Sequence, residues 1–354
     1  MVLMDYGKRM LSFLKRRCKE RKVSAWFLEN GSNLLEGLAC ASNCAYDTPF
    51  RNYTAKEITS ATSNFRELVM FDGTGCMFRG SFQHRLILVK RFRESVFRKR
   101  LPLYINRDIV ISLTMCHHKN VLKFLGCCLD FEVPVLVYEY AGDARLLYDI
   151  LYYRKEQTSS THCGPFPWKI RLKVACDVAN ALVYLRTAFS TPIIHRDISA
   201  HNIIIDQFGV AKLLDFSLCI WLPPGESQVQ EDILVGVNGH IEPEYVTTGI
   251  VTEKTDVYMF GVLLLILLTG KRSLDANYEC FQLVDCVQCQ IEDNCLNKIL
   301  DNDIVVEKGE TMDKQLLDVV ELALRCTQPK GVDRPNIVDV AKELRNIERS
   351  SRIH

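Results

Sequence analysis

Apolar and polar residues alternate in short runs through the first part of the chain and recur at three- and four-residue steps through the rest. Between Leu68 and Tyr140 the runs CMFRGSF, RLILVKRF, VLKFLGCC and VPVLVYEY have the length and composition of strands. One helical stretch, around 104 to 116, interrupts them. From Arg145 onward the spacing is mostly helical, as in WKIRLKVACDVANALVYLRTAF, KQLLDVVELALRC and IVDVAKELRNI. The longest apolar run, VYMFGVLLLILL (257 to 268), has 12 residues, which suits a buried helix and is too short to span a bilayer. Thr54 followed by Glu57 in YTAKEITSATSNF has the spacing of a capping box and predicts a short helix. The pattern therefore predicts an α+β chain in which a small strand-rich part precedes a larger helical part, with no internal repeat. Four segments follow: a basic tail over 1–24, an extension with an opening helix over 25–66, the strand-rich part over 67–140 and the helical part over 141–354.

Composition adds constraints. Charged residues make up 25% of the 354 and apolar residues 48%, the balance of a folded soluble protein. Lys plus Arg is 44 against 43 Asp plus Glu, so overall charge argues against a nucleic-acid partner. The fifteen cysteines are scattered through apolar runs without a metal-like pairing of CxxC units, and are expected to be reduced, mostly buried thiols in a cytosolic protein. Residues 8 to 22 hold eight Lys/Arg and one acid. They predict a solvated tail or, as a second reading, a weak contact with acidic lipid helped by acylation of Cys18. No signal peptide is expected, and Val2 excludes N-myristoylation.

The chemistry lies in an ordered set of motifs. Phosphoryl transfer needs phosphates held in place, metal ions against their charge and an acceptor hydroxyl aligned. Lys90 in LILVK ends a strand, where a lysine reaches α- and β-phosphates. Asp197 in HRD stands where a catalytic base sits, and Asn202 and Asp215 are spaced to hold Mg²⁺. Glu244 in EPEY, Asp256 in DVYMFG and Arg334 in DRP complete a structural set. Any one motif is weak evidence, but the ordered set is strong evidence for a fold.

From about Tyr53 to its end the chain resembles a plant receptor-like cytoplasmic kinase of the interleukin-receptor-associated type, related to the wall-associated kinases. ITSATSNF, HKNVLKFLGCCLD, VPVLVYEY and TEKTDVYMFGVLLLILLTGKRSLD carry the resemblance. WFLENGSNLLEGL ahead of the domain, with a damaged glycine loop, is similar to the subfamily XII pseudokinase adaptors that partner coiled-coil NLR immune receptors. The resemblance implies a bilobal protein-kinase-like fold in the cytoplasm, recruited to the plasma membrane in some settings. It implies an adaptor of plant innate immunity that sits on the leucine-rich repeats of an NLR and recruits other receptor-like cytoplasmic kinases modified by bacterial effectors. ATP and Mg²⁺ would bind weakly or not at all.

Several positions depart from the family pattern. The three glycines of the phosphate loop correspond to Met70, Asp72 and Gly75, with Gly73 as an extra glycine, so bulk and a negative charge stand where phosphates would lie. Gly73, Gly75, Lys90, Asn202 and Asp215 are the remaining nucleotide-binding candidates. Leu88, two residues before Lys90, would crowd a purine. The acid expected to pair with Lys90 falls on Asp108, or on Ile109 if the alignment slips by one. Ser199 replaces the lysine that steadies the γ-phosphate, and losing one such contact costs ~2.7–4 kcal/mol. Ser217 replaces the glycine after Asp215 and Phe216, while Val237 and His240 replace a threonine and a tyrosine of the substrate platform. Between 219 and 236 the only hydroxyl is Ser227, so Arg196 has few phosphates to meet. Glu244 is expected to form a buried ion pair with Arg334, and Asp256 to hold the HRD loop backbone. The losses cluster on phosphate and substrate contacts, which favours a binding scaffold. A slow serine/threonine kinase is the alternative, with Asp197 as proton acceptor, and a nucleotide-binding switch is a third option.

Overall fold

A computed structural model describes residues 25–40, 50–71, 74–93, 100–153, 164–274, 282–293, 295–305 and 309–350. The basic tail with Cys18 and the loop residues Asp72 and Gly73 lie outside the described residues. The chain divides into two units, one of Met1–Ala144 with Leu214–Leu218, the other of Arg145–Leu213 with Cys219–His354. The boundary falls four residues beyond the expected 140/141, where the Tyr140 hydroxyl donates to Ala144 O at 2.9 Å and closes a turn.

In the first unit, α1 (Ala25–Cys40) precedes β1 (Arg51–Asn52), α2 (Ala55–Ala61), β2 (Glu67–Phe71), β3 (Gly75–Phe82), β4 (Arg85–Phe92), α3 (Leu101–Thr114), β5 (Phe124–Cys128) and β6 (Val135–Glu139). The strands form one sheet in the order β1-β5-β6-β4-β3-β2, antiparallel except for β1 on β5. β4 and β6 are central, so Ile87–Lys90 and Val135–Tyr138 are buried as continuous runs rather than alternating. Gln83 and His84 turn β3 into β4 with φ of 51° and 63°, the left-handed pair that a two-residue hairpin requires. At Gly126 (φ +155°) a Cβ would meet Arg51 O at 1.8 Å, so only glycine lets β1 close on β5.

The capping box forms as its spacing predicts. Glu57 N donates to Thr54 Oγ1 at 3.1 Å and Thr54 N donates to Glu57 Oε2 at 2.7 Å. α2 then seats Ile58 in an apolar cluster with Tyr53, Ile87, Val89, Cys128 and Val137. α1 was not anticipated within the mixed 25–66 segment. It buries Phe27, Leu34 and Leu38 and packs on α3. Asn30 Nδ2 donates to Leu129 O (3.1 Å) and Phe131 O (2.9 Å), and Asn106 Nδ2 donates to Asn33 O (2.8 Å). The helix that carries Asp108 is thus braced from outside the sheet.

In the second unit, β7 (Arg145–Leu146), α4 (Leu147–Tyr152), α5 (Trp168–Thr187), β8 (Ile193–Ile194), β9 (Ile203–Ile205), β10 (Ala211–Leu213), β11 (Ile220–Trp221) and β12 (Gln228–Gln230) lead to α6 (Pro243–Thr248), β13 (Ile250–Thr252) and α7 (Glu253–Thr269). α8 (Leu283–Glu292), α9 (Asn302–Val305), α10 (Glu310–Cys326) and α11 (Ile337–Ser350) follow. α7 contains the 257 to 268 run and is buried from Thr255 to Thr269 among α5, α8 and α10. Thr252 caps its start by accepting from Lys254 N at 3.0 Å, and Gly270 ends it in the left-handed region. Among the described residues no helix is long and apolar enough to cross a membrane, and the described cysteines form no disulfide.

One expected pair is corrected. The buried Arg334 guanidinium pairs with Glu242, not Glu244. Its other donors reach Gln328 O (2.7 Å), Pro329 O (2.8 Å) and Lys254 O (3.1 Å). Glu242 is the N-cap residue of α6 and is buried, whereas Glu244, the second residue of that helix, is exposed and accepts from Gly331 N at 2.6 Å. Removing one partner of a buried ion pair leaves a charge without compensation. Arg334→Ala is therefore expected to lower unfolding free energy by about 3–5 kcal/mol, and Glu244→Gln by about 1 kcal/mol or less, as measured by urea unfolding.

Candidate nucleotide and catalytic-loop site

Lys90 lies two residues inside the end of its strand rather than at it. It lies on central strand β4, 1% exposed, with its ammonium 2.7 Å from Asp108 Oδ2 and 2.7 Å from Asp215 Oδ1. The Phe92 ring lies 4.4 Å from Nζ. Asp108 on α3 is the paired acid, and its second oxygen accepts from Tyr138 Oη (3.0 Å), Ser112 Oγ (3.2 Å) and Phe216 N (3.2 Å). Asp215 holds a left-handed backbone (φ 62°). Its Oδ1 also accepts from Ser217 N (3.0 Å) and Ser217 Oγ (2.6 Å), and its Oδ2 accepts from Thr74 Oγ1 (2.7 Å).

One cation between two buried carboxylates sets their proton affinities apart. Burial pushes the Asp108 carboxyl up despite Lys90. Burial also acts to raise Asp215, but the Lys90 ammonium and the bonds from Lys90, Ser217 and Thr74 outweigh it and hold Asp215 at about 2. Asp215 is therefore an ionised carboxylate whose two oxygens are both engaged by side chains of this chain. Ser217, which the sequence marks as a lost glycine, keeps a negative φ and bonds back to Asp215. Thr74 and Tyr138 were missed. The Asp-x-Ser spacing makes the Ser217 bond readable in sequence, whereas nothing local in the chain links Thr74 to a residue 141 positions away.

The nearby apolar positions are filled. Leu88 and Met70 are buried in β4 and β2, the places where the family pattern has small residues. Gly75 has a structural reason to be glycine, because a Cβ there would meet Arg91 O at 2.2 Å across the β3–β4 pair.

In the second unit the HRD loop hangs from α7. Asp256 accepts from His195 N (2.7 Å) and Arg196 N (2.8 Å), and burial pushes its carboxyl up to about 6 against those bonds. Asp197 and Asn202 are brought together. Asn202 Nδ2 donates to Asp197 Oδ2 (2.7 Å) and to Asp197 O (3.0 Å). Among the described residues Asn202 Oδ1 and the Ser199 hydroxyl are buried without a hydrogen-bond partner. For Mg²⁺ each unit has its own donors: in the second unit Asn202 offers an unused oxygen of the right kind, and in the first unit Asp215 would first have to release Thr74 or Ser217. His240 is buried, with Nδ1–H donating to Ile198 O at 3.0 Å, and burial lowers its ring to about 4.

The model of the protein tyrosine and serine/threonine kinase family matches residues 73–344. The chain is 35% identical over 346 residues to the non-functional pseudokinase ZRK2 of Arabidopsis thaliana, covering 95% of this chain and 94% of the relative. It is 36% identical to the serine/threonine-protein kinase ZRK1 of the same plant (94% and 95% of the two chains) and 36% identical to the non-functional pseudokinase ZED1 (94% and 98%). Wall-associated receptor kinases of that plant match at lower identity. The chain thus belongs to the protein kinase family. Within it the chain groups with the ZRK/ZED1 kinases and pseudokinases of subfamily XII.

A histidine whose folded-state affinity is lowered takes up its proton only in the unfolded chain between pH 6.5 and about 4. Stability should therefore fall as pH drops through that window, by up to roughly 3 kcal/mol. Asp256, raised to about 6, works in the opposite direction there. The difference between wild type and His240→Phe, taken from unfolding at pH 7, 6 and 5, isolates the histidine: the wild type should lose more stability than the variant.

Proposed function

We propose that the chain is a pseudokinase scaffold of plant innate immunity, which binds the leucine-rich repeats of an NLR receptor and recruits cytoplasmic kinases modified by bacterial effectors. The observation that carries this proposal is the way Asp215 is held: its Oδ2 accepts from Thr74 Oγ1 and its Oδ1 from Ser217 Oγ, so the aspartate that would meet metal is already engaged by side chains of this chain. The Lys90–Asp108 pair is the one the family pattern expects and favours neither reading. The missing cation at Ser199 and the bulk of Met70 and Leu88 point the same way. So do the names of two relatives, ZRK2 and ZED1, which are non-functional pseudokinases. Selection on such a molecule would act on its surface, and Trp26 and Leu28 on α1 and Leu103 on α3 are exposed apolar side chains suited to a protein partner. The scaffold would act in the cytoplasm, with any approach to the plasma membrane made through its receptor or its basic tail.

A weakly active serine/threonine kinase is the second reading. The unpartnered Asn202 oxygen, the intact Asp197–Asn202 pair and the name of ZRK1 favour it. The two separate on Asp197→Asn. The scaffold should co-purify from leaf tissue with a coiled-coil NLR drawn from a co-expressed panel, and wild type and Asp197→Asn should be captured equally and trigger the same cell death. Loss of cell death in Asp197→Asn, with capture intact, would establish the kinase instead.

A further inference from the structure

Arg196 is fully buried, and a buried guanidinium needs an anion. The anion lies in the 219–236 segment itself: Glu231 Oε2 stands 3.1 Å from Arg196 Nη1, with the glutamate side chain 13% exposed. Around Glu231 the backbone is pinned. β12 pairs antiparallel with β13 in the register Gln228 to Thr252, Val229 to Val251 and Gln230 to Ile250. Glu231 N donates to Gly249 O (2.9 Å), and Gln230 Nε2 donates to Thr248 O (2.9 Å). Farther on, Tyr245 Oη donates to Ile233 O (3.0 Å) and accepts from Val235 N (3.3 Å). The one hydroxyl of the segment, Ser227, is exposed and four residues back, about 13 Å along an extended chain, so a phosphate there would not take the place of Glu231.

Loops of this kind are ordered in other kinases when an added phosphate meets an arginine. We propose that Glu231 is a permanent carboxylate latch on Arg196, which holds the 228–235 segment and the β12–β13 pair in place without any modification. The surface this segment presents is then preformed, and no phosphatase can release it. The latch holds whether or not the chain transfers phosphate.

Hydrogen exchange on the full chain tests it. In Glu231→Gln the amides of 228–235 and 249–252 should lose protection by about tenfold or more, while those of α7 and α10 keep theirs. Phosphatase treatment of wild-type chain purified from plant cells should change nothing. Unchanged exchange in Glu231→Gln, or loss of wild-type protection after phosphatase, overturns the proposal. If Glu231→Gln fails to fold, Glu231→Asp, one methylene short of Arg196, takes its place. Local loss of protection in that variant supports the latch, and none overturns it.

Discussion

A lysine ammonium stripped of water must be neutralised by its surroundings, and Lys90 has Asp108 and Asp215 at 2.7 Å each. That requirement organises the first unit. It fixes the face that α3 turns to the sheet, because Asp108 must reach β4. It draws Leu214–Leu218 to the strand-rich unit although their sequence neighbours belong to the other. The remaining lone pairs are filled by Tyr138, Ser112, Phe216, Ser217 and Thr74, so each carboxylate is satisfied by protein donors. α1, bonded to the β5–β6 loop and packed on α3, steadies the helix that supplies one of the two acids. In a cluster satisfied in this way, a metal ion at Asp215 would first have to displace the bonds from Thr74 or Ser217.

The second unit shows the same economy in its HRD loop. Asp256 holds the backbone of His195 and Arg196, Asn202 holds Asp197, and Arg196 holds Glu231. Residues that serve phosphoryl transfer in the family pattern also brace loops against one another here. Retention of HRD and Asn202 therefore does not by itself argue for turnover, since their structural work survives the loss of the lysine at Ser199.

Much of this was legible in the chain. The strand-rich and helical parts, the Thr54–Glu57 box and the ordered motifs all follow from short-range spacing, and the helix periods of α5, α10 and α11 and the apolar run of α7 are plain. Three things were not. α1 was hidden because five polar or small residues, ENGSN, separate Phe27 from Leu34 and Leu38 and interrupt the apolar pattern. Glu242 was passed over for Glu244 because two acids two residues apart look alike until the start of α6 decides which one is buried. Thr74 and Glu231 meet their partners only through tertiary packing, and no local pattern announces either bond. Asp108 was placed but with a possible slip to Ile109, which the 2.7 Å contact with Lys90 removes.

The most direct measurement is a calorimetric titration of the chain with Mg²⁺-ATP, run beside Thr74→Val and Lys90→Met. A cluster closed by its own side chains predicts no saturable heat for the wild type at millimolar nucleotide, and at most weak binding once Thr74 no longer holds Asp215. Saturable micromolar binding by the wild type, abolished in Lys90→Met, would contradict the account and restore nucleotide to the centre of this protein's function.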